Sequence, residues 1–292
     1  MQLMPVQLRL SGSGRSHLKP TRQRFAGGDS SGRSDTKGLL IVTFNVRFAK
    51  HIDRALTLLE GNDTLQGVDI LALQEMDERG VEKIAIRLGL NYVYYPALIH
   101  RAHGKNFGNA MLSPWSIVED QKILLPHPGR AEKVPRIAVA GTLVVGRRRL
   151  RVYSLHLGTA LEIGPKQRKD QVEAVLEDAE DFFGPVIIVG DMNARGIGRF
   201  LERQGYCWAT KPVRRTISLF AWDHIFLRGF DMNQVTEVGV VRDNRKASDH
   251  KPVWITLRLD TSPSRGLSIA KSPLLSKVLP AISLGRTRKK ME

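Results

Sequence analysis

Pro185-Val186-Ile187-Ile188-Val189-Gly190-Asp191-Met192-Asn193-Ala194-Arg195 is the stretch on which the reading of this chain turns. The four apolar residues Val186 to Val189 are β-branched and uninterrupted by polar ones, the pattern of a strand buried on both faces. Gly190 ends the run, and Asp191 and Asn193 follow at its C-terminal end, where a rigid strand holds side chains in the fixed positions catalysis needs. Taken alone, Asp191 and Asn193 equally describe an Asx-type turn. Recurrence tips the reading toward a site, because apolar strands run out into polar residues repeatedly along the chain.

Upstream, Leu39 to Val46 reads as a strand, followed by a helix with Ile52, Ala55, Leu56 and Leu59 on one face. A strand from Val68 to Gln74 runs into Glu75, and a second helix presents Val81, Ile84, Ala85 and Leu88. Short strands at 92–95 and 109–113 flank a polar, basic loop at His100 to Asn106. Strands near 117–124, 134–145 and 150–157 come next, the last two joined by a turn at Gly146 to Arg149. A long helix at 165–182 carries Val172, Val175, Leu176, Ala179 and Phe182 at helical spacing. Strands are expected again at 221–227, 235–241 and 251–259. Many strands with a few helices between them imply an α/β fold, with two packed sheets and helices outside.

Six strand ends carry acids, amides or imidazoles: Asn45, Glu75, His156, Asp191 with Asn193, Asp223, and Asp249 with His250. Each has a structural explanation by itself, as strand terminator, first-turn acid, core histidine or turn former. Six together are hard to explain that way. Carboxylates and an amide oxygen suit a hard cation such as Mg²⁺ or Mn²⁺. Such a metal neutralises charge on a phosphoryl oxygen and stabilises a leaving oxygen. A histidine bonded to a carboxylate can take a proton from attacking water near neutral pH.

The motifs Thr-Phe-Asn45-Val, Leu-Gln-Glu75, Gly108-Asn-Ala-Met-Leu-Ser113, Ser-Leu-His156-Leu, Gly-Asp191-Met-Asn193, Trp-Asp223-His-Ile-Phe and Ser-Asp249-His250-Lys-Pro-Val stand in that order. In them the chain resembles the endonuclease/exonuclease/phosphatase superfamily, compact bacterial-type branch, over about residues 39–259. The resemblance implies a deoxyribonuclease I-like four-layered α/β sandwich, with two mostly antiparallel sheets flanked by helices. It also implies a divalent-metal-dependent phosphodiester or phosphomonoester hydrolase. Glu75 would be the main metal ligand, with Asn45 and Asp249 completing or supporting the site. His250, oriented by Asp223, would be the general base. Asp191 and Asn193 would position water and the scissile phosphate, and His156 would contact the phosphate or help protonate the leaving oxygen. Arg136, in Val-Pro-Arg136-Ile-Ala-Val, sits where some members place a phosphate-contacting arginine. Abasic endonucleases of this superfamily carry a tyrosine where this chain has His156. The Pro-Ser-Trp-Cys-Asp-Arg signature of inositol 5-phosphatases is absent, and the segment from Thr216 to Asp223 is short. The substrate class stays open between a phospholipid headgroup, a small phosphodiester and nucleic acid, and a non-catalytic binding module of the same fold is the alternative from another class.

Composition is that of a soluble globular protein, 42% hydrophobic and 25% charged in 292 residues. The lone Cys207 excludes an intramolecular disulfide and a cysteine-based zinc site. With no secretory signal and no membrane-length apolar run, it suits a reducing, cytoplasmic compartment, and a monomer is expected. The formal charge of +16 is uneven, with +5 in residues 1–38 and +6 in 261–292, leaving +5 for the body. Residues 1–38, rich in Ser, Gly and Arg, are expected to be a disordered basic extension. Residues 39–260 are expected to be the catalytic domain and 261–292 a basic tail, in the main disordered. Within that tail, Leu274 to Leu284 form an apolar cluster followed by Arg286 to Lys290, which suggests peripheral contact with an anionic membrane.

Overall fold

The computed structural model describes Lys19 and residues 21–33, 37–129 and 133–259. In chain order the elements are β1 (Phe25–Gly27), β2 (Gly38–Asn45), α1 (Ile52–Gly61), β3 (Ile70–Met76), α2 (Glu78–Leu88), β4 (Asn91–His100), β5 (Lys105–Ser113), β6 (Ile117–Leu124), β7 (Ile137–Val145) and β8 (Arg148–His156). After these come α3 (Pro165–Glu180), β9 (Val186–Asp191), α4 (Gly196–Arg203), β10 (Cys207–Trp208), β11 (Asp223–Arg228), β12 (Val235–Val240) and β13 (Val253–Arg258). One sheet runs β1-β4-β5-β3-β2-β13-β12 and the other β10-β11-β9-β8-β7-β6. Each holds one parallel pair, β2 with β3 and β8 with β9, and is otherwise antiparallel.

Three apolar layers hold the sandwich together. Between the sheets, Ile41, Ile70 and Ala72 meet Val139, Val152, Ile187, Val189 and Ile225. Outside the first sheet, Val42, Phe44, Leu71 and Leu73 pack under Leu56 and Leu59 of α1 and Val81 and Ile84 of α2. Outside the second, Tyr153, Leu155 and Ile188 pack under Val172 and Val175 of α3 and Leu201 of α4. Burial on both sheet faces explains why Val186 to Val189 carries no polar alternation. The boundaries of α2 are well marked: Asp77 caps it by accepting from the Gly80 amide, and Gly89 closes it in the left-handed conformation at φ 64°.

The N-terminal expectation needs correction where the chain is described. Residues 21–33 are not a loose extension, because β1 adds an edge strand antiparallel to β4, with Phe25 opposite Tyr94. Arg24 pairs with Asp120 at 2.6 Å and Arg33 with Asp69 at 2.6 Å, and the Ser30 amide donates to Asn91. Three residues, Phe-Ala-Gly, are too few to show alternation, so these long-range partners form the strand. Residues 1–18, 20 and 34–36 and the whole segment 260–292, with its proposed membrane contact, lie outside the described residues.

Candidate active site

Strand periodicity gathers the site. Along β2, β8, β9 and β11, the alternation that turns Ile41, Val152, Val189 and Ile225 toward the inter-sheet core continues to Asn45, His156, Asp191 and Asp223. The register is direct: His156 lies opposite Asp191 in the parallel β8–β9 pair, and Asp223 opposite Asp191 across β9–β11. Where the apolar core between the sheets runs out, these side chains converge.

Glu75 breaks the alternation. It follows inward-facing Gln74 and would point outward in a regular strand, but its φ is 58° and the β3–β5 register slips between Leu73 and Met76. The bulge re-aims the carboxylate into the site. There its Oε1 accepts from Asn45 Nδ2 at 3.2 Å and its Oε2 from the Phe48 amide at 3.2 Å. Gly190 meets a different constraint, since a Cβ there would lie 2.0 Å from the Leu155 carbonyl oxygen and its φ is 147°. Only glycine lets β9 lie this close to β8 just before Asp191.

Asp191 is the hub. Its Oδ2 accepts from Asn45 Nδ2 at 3.1 Å, and the Nε2 atoms of His156 and His250 each stand 3.6 Å from it. Its Oδ1 accepts from the Asn193 amide at 2.8 Å, while Asn193 Nδ2 donates to the Leu157 carbonyl at 2.9 Å. The turn and the site are therefore the same structure. His250 Nδ1 contacts both Asp223 oxygens, at 2.9 and 3.1 Å, which leaves Nε2 facing inward. Ser248 fixes the loop that carries His250: its hydroxyl donates to the Asn45 carbonyl at 2.7 Å and accepts from the His250 amide at 3.1 Å. Asp191, Asp223 and His250 place ligand-type atoms within 4.8 Å of one another.

Arg136 lines the same mouth. Its Nη1 lies 3.1 and 3.2 Å from the two ring nitrogens of His156, and its Nη2 donates to Glu162 at 2.8 Å. Asp249 stands apart, with its side chain 41% exposed on the rim, paired with Arg47 at 3.4 Å. Sequence reading missed the floor beneath the site. There Thr43 donates to Gln74, and Gln74 donates across the inter-sheet gap to Ser154, each at 3.2 Å. It also missed Glu162 and an aromatic wall of Phe48, His100 and Phe107 that reaches His156.

Burial and crossed charges tune these groups. Burial pushes Asp191 up to about 6, helped by Asp223 and opposed by His250. Burial opposes charge on His250, but Asp223, Asp191 and Glu75 outweigh it and raise its pKa to about 10. Glu75 is raised by burial and by Asp249, against the pull of Arg136 and His250. His156 is held well below 6.5 by burial and by the nearby charges of Arg136 and His250. A neutral His156 suits contact with an anion better than proton donation.

A two-sheet α/β sandwich with a buried His–Asp pair, facing carboxylates and an arginine at one end of the gap has the equipment for hydrolysis of a charged ester. Residues 42–250 match the Endonuclease/Exonuclease/phosphatase family, and the chain belongs to it. Phosphoesterase or nuclease is the activity class that this membership supports. A UPF0294 protein of Vibrio cholerae is 32% identical over 117 residues, 37% of this chain and 40% of that protein's length, so the match spans under half of either. Among solved structures, an endonuclease/exonuclease/phosphatase from Beutenbergia cavernae superposes with a TM-score of 0.60 at 19% identity, over 77% of this chain and 72% of the other. D. rerio TDP2 complexed with a single-strand DNA product gives 0.58 at 16%, over 77% and 100%. A mannosyl-6-phosphatase of Bacteroides thetaiotaomicron gives 0.54 at 18%, over 74% and 98%. At these identities the likeness concerns the fold. Among the described residues, no helix is long and apolar enough to cross a membrane.

Proposed function

We propose that this chain is a divalent-metal-dependent phosphodiester hydrolase. The observation that carries the reading is the His250–Asp223 contact, which clamps Nδ1 and leaves Nε2 facing the pocket beside Asp191. Asp223 fixes the tautomer and ring orientation of His250, and Nε2 accepts the proton of the attacking water. Asp191, held by Asn45 and the Asn193 amide, orients that water. Arg136 and neutral His156 face the phosphate oxygens, with Glu162 steadying the guanidinium.

The donors fit a hard cation: the buried Glu75 carboxylate and the Asn45 amide stand in contact at 3.2 Å and are oxygen-bearing groups of the kind such ions take. Glu75 would hold Mg²⁺ or Mn²⁺, with Asn45 and Asp249 completing or supporting the site. A bound cation would neutralise charge on the phosphoryl and leaving oxygens and offset the carboxylates that otherwise keep His250 protonated.

The test is release of p-nitrophenol from bis(p-nitrophenyl) phosphate. Turnover is expected with Mg²⁺ or Mn²⁺, abolished by EDTA, and in Glu75→Gln shifted to much higher metal concentration. Metal-independent turnover, or none with either ion, overturns the reading, and an unchanged metal titration removes Glu75 as ligand.

A further inference from the structure

Beside the catalytic mouth lies a groove of about 820 Å³ between the 212–215 segment and the edge of the first sheet at Val238 to Arg242. Arg214, Arg215, Arg242 and Lys251 line it, and no carboxylate is among its lining residues. Carbonyls hold two of these cations: Arg214 Nη1 donates to Lys211 and Val213 at 2.8 and 3.2 Å, and Lys251 Nζ to Arg215 at 3.3 Å. Carbonyls fix a side chain without cancelling its charge, so the groove is built and still positive. The guanidinium of neighbouring Arg195 has its pKa lowered by burial and by the charges of Arg214 and Arg199, which reports the same crowding.

The groove adjoins the site through Lys251 and Thr216. Lys251 follows His250, and its amide donates to the Thr216 carbonyl at 2.8 Å. The Thr216 hydroxyl accepts from the amides of Trp222 and Asp223 at 3.0 and 3.2 Å. At the junction Ile217 and Phe220 close a tight turn on each other, and Phe220, 55% exposed, stacks on Trp222 with ring centres 5.1 Å apart and planes 16° from parallel. A set of cations, two of them fixed, joined through Thr216 to an exposed flat ring matches the two parts of a single-strand platform, a phosphate track and a base-stacking face.

We propose that this groove and the Phe220–Trp222 stack bind single-stranded nucleic acid, with the phosphates along Arg214, Arg215, Arg242 and Lys251 and one base on Phe220, leading the strand to Asp223 and His250. The proposal rests on the phosphodiesterase reading and names its substrate class. The groove's concavity favours a strand over a bilayer, because a chain of phosphodiesters can follow a hollow and a flat lipid surface cannot.

The test uses the full chain in EDTA and a fluorescein-labelled 12-nucleotide single strand, with affinity read by anisotropy across a salt series. Arg214→Glu/Arg242→Glu is compared with Arg147→Glu/Lys166→Glu, which makes the same charge change on surface away from the groove. The groove variant is expected to bind about tenfold or more weakly and to lower the salt slope by about 1.4, the value for two lost phosphate contacts on a single strand. The control is expected to bind within about twofold of the parent. Phe220→Ala, at an exposed ring, is expected to weaken binding about fivefold or more with the salt slope unchanged. Equal weakening by both charge pairs overturns the proposal as bulk electrostatics. So does oligonucleotide binding that ignores the groove while binding to phosphatidylserine vesicles depends on it. Hydrolysis of bis(p-nitrophenyl) phosphate reads the site independently: its absence in the parent overturns the hydrolase reading, whereas groove-independent strand binding overturns only the groove.

Discussion

Arg136 and Arg151 are both 7% exposed, both belong to the second sheet or its approach, and both reach a carboxylate at 2.8 Å. Their other donors differ. Arg151, under α3, is closed: Nε donates to the Tyr153 hydroxyl, Nη1 to the Glu119 carbonyl and Thr142, and Nη2 to Asp178, which Tyr153 also bonds at 2.6 Å. Arg136, at the mouth, is open: Nη1 lies against the His156 ring, and the buried Nε has no hydrogen-bond partner among the described residues. A buried N–H left unmade costs about 1–3 kcal/mol. A closed network converts the burial of an arginine into rigidity, whereas an open one stores an unmet demand for an anion. That contrast is what the proposed phosphate-contacting role of Arg136 rests on, and burial or pairing alone would not show it.

The contrast breaks most sharply at the histidines. His250–Asp223 and His127–Asp170 are the same chemical pair, at 2.9 and 2.7 Å, but the first is buried in the mouth and the second is about one-third exposed. His250→Ala is expected to lower kcat on bis(p-nitrophenyl) phosphate by about two orders of magnitude or more, the loss of a positioned base. His127→Ala should leave kcat within about twofold, since an exposed pair contributes little. Comparable losses would show that the pair's position does not decide its role.

The arginines come next. Arg151→Met leaves Asp178 without its cation in a partly buried network, at a cost of about 3 kcal/mol in stability, with turnover per folded molecule unchanged. Arg136→Met should do the reverse, losing about 100-fold in kcat/KM, the scale of one lost transition-state contact, while its melting temperature moves by a few degrees. Denaturant melts beside steady-state kinetics check both. A destabilised, fully active Arg136→Met would make that arginine structural.

Much of this is legible in the sequence, for identifiable reasons. Val186 to Val189 shows its double burial as an unbroken apolar run, and Asn45, His156, Asp191 and Asp223 inherit their direction from strand alternation. Glu75 was found by its motif, but alternation would have aimed it outward, and the bulge that turns it has no local signature. The floor of Thr43, Gln74 and Ser154 joins two sheets, and a lone polar residue in an apolar strand does not announce its partner across the core. The strand β1 and the eight-residue α4 are too short for periodicity to register. The groove was hidden in a modest net charge, because Arg214 and Arg242 are far apart in sequence and meet only in the fold.

The last expected effect lies in the closed region, where His224 is fully buried on the face of β11 packed against Trp208. Its Nε2 donates to the Ala221 carbonyl at 3.0 Å, and its Nδ1 accepts from the Trp208 indole N–H at 3.3 Å. Protonation of Nδ1 would set two N–H groups against each other in a site without water access, and burial lowers the pKa to about 4, only partly offset by Asp223. The unfolded chain takes up this proton near pH 6.5 and the folded chain only near 4. Stability from this group is therefore full above about pH 6.5 and declines as pH falls toward 4, by an upper bound on the order of 3 kcal/mol. His224→Gln keeps one donor and one acceptor but cannot titrate. Its melting temperature should fall less steeply than the parent's between pH 6.5 and 4, with hydrolysis at neutral pH unaffected. Parallel curves for the two proteins over that interval would mean that acid enters the closed region elsewhere.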